Sequence, residues 1–357
     1  MEKKLIPFIL VFLLASCALA EDNAGKSGFP YWLISPPIPG YSQETGWSAM
    51  LVAMVMYLDG DDKKTTYPSV FFPKITYTQK NQLDTAVEVD HYARDNAWFL
   101  KALAGYRRYP DRFFGTGRIS ADEEGESYTL ETITGWLEYY LKISGNFHAG
   151  ARLRLQKDAL TEAEQGGLLS SGAVYGYRGL FNPGLGLLFK IDDRDNTMMV
   201  MSGDYHVISA EIFAPPQAQS FVIITADLRK YFKTAERQSL GLRLFSENTM
   251  GRPPFNMLSI FGGSTRLKGY LYGKYRDNNS FFACAEYKAV LLDWLGATAF
   301  AGLGDTMAYW GAPLEIKYSA GAGLRIIVDS SNMTNLRVDA AFGRDSMGFY
   351  IDLNDTF

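Results

Sequence analysis

The sequence predicts an all-β fold, a transmembrane antiparallel β-barrel of about sixteen strands, on three observations. Apolar and polar residues alternate with period two along many segments. The polar faces carry whole charges and glycines, as a watery lumen requires. Aromatic residues gather near segment ends (Trp98 and Phe99, Trp136, Tyr139 and Tyr140, Trp294, Trp310), where an interfacial girdle would sit. Aromatics make up 14% of the 357 residues and glycine numbers 34, which suits girdled strands with small lumen-facing positions.

The chain begins MEKKLIPFILVFLLASCALAEDN. Lys3 and Lys4 form a positive start, Leu5 to Leu14 an apolar core, and Ala18-Leu19-Ala20 a cleavage site. Residues 1–20 therefore read as a secretory signal peptide, outside the fold. A membrane-anchor helix fits less well, because the apolar stretch is only about sixteen residues and exits through small side chains. Leu14-Ala15-Ser16-Cys17 also reads as a lipobox, which would lipidate Cys17. Without Cys17 the exported chain keeps Cys284 alone, so a disulfide-stapled scaffold is excluded. Residues 21–29 form a short polar leader, and residues 30–357 a single barrel with no linker or repeat.

Beyond residue 20 no run of eighteen apolar residues occurs, so helical spans are not expected. Alternation recurs at 83–94, 147–156 and 221–230. At 320–329 it sets Ala320, Ala322, Leu324, Ile326 and Val328 against Gly321, Gly323, Arg325, Ile327 and Asp329. At 336–342 Leu336, Val338, Ala340 and Phe342 oppose Arg337, Asp339 and Ala341. The last segment sets Phe349, Ile351, Leu353 and Phe357 against Tyr350, Asp352, Asn354 and Thr356. Asp355 interrupts its apolar face near the periplasmic edge, where a charge costs little. A soluble sandwich would turn these apolar faces inward and a membrane barrel outward; charged polar faces and clustered aromatics favour the second. Dividing about 325 exported residues by roughly 20 per strand and connection gives about sixteen strands.

Net charge is −4 and pI about 5.6, so no basic face points to nucleic acid. The three histidines (His91, His148, His206) are scattered, and neither metal nor other cofactor is expected. No G-x-S-x-G, H-E-x-x-H or P-loop occurs, and alternation splits the acids of DDRD (192–195) between faces. No enzymatic activity is expected.

Residues 262–277 read GGSTRLKGYLYGKYRD, too polar and glycine-rich for a strand and too aromatic for an ordinary loop. Five strands follow, and counting back from a periplasmic C-terminus places this stretch outside, before strand 12. It is followed by AEYKAVL (285–291), FAGLG (300–304), SAGAGLRI (319–326) and LRVDAAFG (336–343). Upstream stand PPIPGYSQETGW (36–47), YPDRFFGTG (109–117) and DDRDN (192–196). In this order and spacing the chain resembles the bacterial surface-antigen family of outer-membrane barrels, the BamA and TamA family. Gln43 and Val200 stand where that family has proline.

The resemblance implies that the sixth external loop folds into the lumen and sets a basic tip against acids on the barrel wall. Here the tip is Leu267-Lys268-Gly269-Tyr270, with lysine in place of the family's arginine. Lysine lacks the bidentate fork, so a looser hold is expected. Glu286 matches the family's strand-12 acid and is the expected partner; the second acid aligns with Gly302 and is missing. Arg266, two residues earlier, would share Lys268's side of an extended tip and is an alternative source of the fork. Phe349, Ile351, Leu353 and Phe357 form the expected C-terminal assembly signal.

Family members fold proteins into the outer membrane or move them across it, through a weak seam between first and last strands. Most carry periplasmic POTRA domains; here fewer than about thirty residues separate the expected cleavage site from the first strand, too few for a domain. The resemblance thus implies a POTRA-less insertion or transport barrel in the outer membrane of a Gram-negative bacterium. Its expected partners are outer-membrane lipid, the barrel assembly machinery and a periplasmic partner or client protein. A plugged channel or structural surface barrel without insertase activity is the alternative. An enzyme is the third reading, because some family barrels are fused to patatin-like lipases.

Overall fold

The computed structural model describes residues 31–57, 67–94, 96–117, 124–329 and 333–355. The expected signal peptide, Cys17, the 21–29 leader and Phe357 lie outside the described residues. Sixteen antiparallel strands close into one barrel, each paired with its neighbours in sequence. Strand β1 comes in two pieces, Tyr31–Ile34 and Ile38–Ser42, both paired with β2 (Gly46–Tyr57). The break is Ser35-Pro36-Pro37, where two prolines lack the N–H that a ladder needs.

Then follow β3 (Ser69–Thr78), β4 (Leu83–Ala93), β5 (Trp98–Phe113), β6 (Glu126–Ser144) and β7 (Phe147–Ala163). The next are β8 (Phe181–Asp192), β9 (Gly203–Phe213), β10 (Phe221–Ala235) and β11 (Gln238–Gly251). The last five are β12 (Asn279–Leu292), β13 (Leu295–Met307), β14 (Lys317–Asp329), β15 (Thr334–Gly343) and β16 (Ser346–Leu353). A one-turn helix, α1 (Leu168–Ser171), lies in the connection after β7.

Alternation sets the two faces. Along β8 the exposed side carries Phe181, Leu185, Leu187 and Phe189, while Asn182 and Leu188 are buried. Apolar side chains thus face outward, as lipid demands; at mid-membrane an outward lysine or arginine would cost about 2–4 kcal/mol. The outward Lys230 is paired with Asp204 at 2.8 Å near a strand end. An outward chain of rings, Tyr57–His91–Trp98–Tyr139, runs round the same end with centroids 5.3 to 6.0 Å apart.

The expected girdle is corrected in part. Phe99 and Tyr140 are buried and stack 4.5 Å apart inside, because residues next to the outward Trp98 and Tyr139 must face the lumen.

The barrel has a turn end and a loop end. Connections at 94–97, 145–146, 236–237 and 293–294 are short; those at 164–180, 252–278 and 308–316 lie at the other end and are long. Wall height is uneven. Strand β6 has 19 residues, whereas β16 has 8 and β1 only 4 and 5. A membrane-spanning strand needs about 9–11 residues, so the wall is thinnest where the barrel closes.

Candidate functional site

The lumen between β11 and β16 is filled by residues 261–277, which leave the barrel at the loop end and fold back in. Glycine and alanine on the inner wall make room. An added Cβ at Gly302 would lie 2.7 Å from Leu267 Cδ1, and one at Gly323 would lie 2.0 Å from Asp339 Oδ1. The alternating glycines of FAGLG and SAGAGLRI are therefore the inner wall on which the loop rests. Phe245, Phe261, Leu267, Tyr270 and Phe282 form the apolar part of this contact.

The tip is turned, not extended, with Gly269 at φ +93°, a left-handed conformation open to glycine. Its backbone is held at four points, one of them Gly263 N donating to Tyr270 O at 2.9 Å. Gly269 N donates to Tyr350 Oη at 3.0 Å, Ser319 Oγ donates to Lys268 O at 2.5 Å, and Ser346 Oγ donates to Gly269 O at 2.6 Å. Tyr270 Oη donates to Tyr318 O at 2.8 Å and accepts from Arg344 N at 3.0 Å.

Lys268 Nζ lies 2.6 Å from Asp339 Oδ2 and 4.3 Å from the centre of the Phe300 ring. Glu286, the partner expected from the sequence, faces Lys268 at 3.7 Å without a hydrogen bond. The direct contact therefore goes to Asp339, which alternation puts on the polar face of β15. The glycine gap at Gly323 lets Asp339 reach inward, whereas Glu286 is shared among Lys268, Lys288 at 3.9 Å and Arg325 at 3.6 Å. Asp339 also accepts from Arg325 Nη1 at 2.7 Å.

Arg266 is not on Lys268's side. Its Nη2 donates to Glu247 of β11 at 3.2 Å and its guanidinium lies 4.8 Å from the Phe245 ring. A shared side requires an extended tip; in the turned tip Arg266 goes to Glu247 of β11 and Lys268 to Asp339 of β15.

Asp355 corrects a second expectation. Asn354 adopts φ +60°, so the chain leaves the strand alternation and Asp355 turns into the lumen. There it meets Lys288 and Arg325. Burial pushes its carboxyl up, but these two cations outweigh that and hold it well below the usual carboxylate range.

Around the tip the described cations Lys268, Lys288, Arg325 and Arg337 are matched by Glu286, Asp339, Asp352 and Asp355. A balanced, closed network of this kind holds a loop in place; it offers no nucleophile beside a base and no metal-type cluster among the described residues. Nearer the loop end a polar cavity of about 720 Å³ remains, lined in part by Glu44, Asp111, Arg112 and Glu162.

The second feature is the seam. Strand β16 registers with β1 through a single pair among the described residues, Ile351 opposite Tyr41. The preceding junction, β15 with β16, registers eight pairs from Leu336 opposite Leu353 to Gly343 opposite Ser346. Gln43 Nε2 donates to Met347 O, and the Tyr41 and Phe349 rings lie 5.8 Å apart, which completes the contact. Of the C-terminal residues singled out in the sequence, Phe349, Ile351 and Leu353 lie on the outward side of β16.

Sixteen antiparallel strands, an apolar exterior and a lumen that takes in the β11–β12 connection define an outer-membrane-type β-barrel. No protein-family model matches the sequence, and no curated protein matches it. Among solved structures the barrel is similar to BamA from Haemophilus ducreyi lacking POTRA domains 1–3. That match has TM-score 0.65 at 13% identity, over 94% of this chain and 77% of that one. It is also similar to CdiB from Escherichia coli (TM-score 0.55, 12% identity, 94% and 69% of the two chains). CdiB from Acinetobacter baumannii gives TM-score 0.54 at 12% identity, and this chain spans 58% of its length. At such identities the likeness is one of fold.

Proposed function

We propose that the chain is an outer-membrane barrel of a Gram-negative bacterium that aids the insertion or transport of proteins, with the β16–β1 seam as the working surface. The observation that carries this reading is the seam itself. A wall joined, among the described residues, by one registered pair, and flanked by the short β16 and the broken β1, has edges that an incoming strand can pair with. A client strand would pair with the edge of β1 while loop residues 261–277 keep the lumen filled. Lys268, Gly269, Tyr270 and Arg266 then serve as the lock that keeps the loop inside, held by Asp339, Glu286 and Glu247. Phe349, Ile351, Leu353 and Phe357 serve the barrel's own insertion by the assembly machinery, and a periplasmic partner delivers clients.

The test joins the seam covalently. In Tyr41→Cys/Ile351→Cys the two thiols face each other across the single registered pair. Reconstituted in liposomes, the reduced barrel is expected to speed the folding of an unfolded outer-membrane client, and the oxidised barrel to lose that effect. Equal activity in both states would overturn the seam reading. A second reading, a plugged channel, is favoured by the filled lumen; it predicts no acceleration in either state.

A further inference from the structure

The connection between β8 and β9, residues 193–202, departs from the short turns described at its end of the barrel. It is longer than the connections at 94–97, 145–146, 236–237 and 293–294, and it runs into the lumen. It is also built to hold its shape. Asp195 N donates to Ser202 O at 3.1 Å, Asp195 Oδ1 accepts from Met201 N at 3.0 Å, and Asn196 Oδ1 accepts from Met198 N at 2.7 Å. These bonds close the base of the connection and push an apolar tip, Met198-Met199-Val200-Met201, across the barrel. Met199 and Val200 are buried as completely as any core residue. Val200 packs with Tyr231 of β10, and Tyr205 of β9 and Cys284 of β12 pack against the pair. The Val200 carbonyl accepts from Ser239 Oγ at 3.5 Å.

The reach of this segment is its telling property. Met198 O accepts from Asp355 N at 3.3 Å. Asp355 follows β16, which stands nearly opposite β8 and β9 in a sixteen-strand ring. The bond therefore bridges the turn-end mouth and joins the far wall to the strand that ends at the seam. Two paths then connect this strap to the loop tip. One is apolar: Cys284 touches Val200's cluster on one side and that of Leu267 on the other. The other is ionic: Asp355 pairs with Arg325, Arg325 with Asp339, and Asp339 with Lys268.

From this we infer that the barrel carries two closures in series, the loop tip and the β8–β9 strap, and that the strap also fastens the C-terminal end of β16. Neither closure alone sets the permeability of the lumen, because the other still blocks the path. Nothing in this inference depends on client insertion, so its failure would leave the seam reading untouched.

The experiment is conductance of the full chain in planar bilayers. Lys268→Ala loosens the loop tip, and Met199→Ser/Val200→Ser loosens the strap. Each variant is expected to conduct close to the parent level. The combination is expected to conduct several-fold more than the two single effects added together. A strap variant that opens the pore by itself, or a combination no more conductive than Lys268→Ala, would overturn the inference. To separate gating from misfolding, a protease site inserted at the exposed Thr197 lets the strap be cut after the barrel has folded. Cutting in the Lys268→Ala background should raise conductance in the same membrane, and an unchanged current after complete cleavage would equally refute two closures in series.

Discussion

A lysine inside a barrel is stable only where carboxylates meet it at hydrogen-bond distance, since desolvation otherwise outweighs attraction. Lys268 meets that condition through Asp339, at 2.6 Å, and only loosely through Glu286, at 3.7 Å. The difference sets a ranking. Asp339→Asn removes the direct partner of both Lys268 and Arg325, and breaking a buried pair from one side typically costs about 3–5 kcal/mol. Glu286→Gln should cost less, because three cations surround it and none is bonded to it. Denaturant unfolding followed by tryptophan fluorescence in detergent checks this, and the reverse order would show Glu286 to be the true counter-ion. Alternation alone already set Asp339 on the lumen side, so its exposure to the tip was legible in the sequence. Its pairing was not, because that depends on which wall residues are glycine opposite a turned loop. Arg266 was misjudged for the same reason: a two-residue spacing means a shared side only in extended chain.

Among the elements, strands were the legible part, because lipid outside and charge inside impose a period that a short window reveals. The break in β1 follows from Pro36 and Pro37, both visible, although their consequence needs the seam beside them. The β8–β9 strap was invisible as such. DDRDN reads as a strand-end motif with its acids split between faces, and nothing in the methionines that follow says that they enter a lumen. The prolines make a prediction of their own. Pro36→Val/Pro37→Thr restores two N–H donors and β-forming side chains between Tyr31–Ile34 and Ile38–Ser42. Amide hydrogen exchange over residues 31–42 should slow by an order of magnitude or more. Unchanged exchange would mean that the short wall, and not the prolines, keeps this edge loose.

For the whole molecule the lumen network matters more than any one pair, because its charges balance and, Asp352 apart, are buried. Salt should therefore affect it little, since buried pairs are poorly screened. Acid should affect it, and the sign follows from Asp355, which lies beyond the end of β16. Burial raises its carboxyl, yet Lys288 and Arg325 depress it further, so the folded barrel binds its proton more weakly than the unfolded chain does. The stabilisation is then fully present above the unfolded value near ~3.9 and is lost as pH falls through the lower folded value. The melting temperature in detergent should accordingly hold level from neutrality down to about pH 4 and fall below it. Asp355→Asn should lower the neutral plateau, because Lys288 and Arg325 lose their shared acid, and should flatten the decline in acid. If the variant keeps the parent's acid slope, the proton uptake that weakens the barrel belongs to other carboxylates, and the tie between the last strand and the lumen network carries no stability.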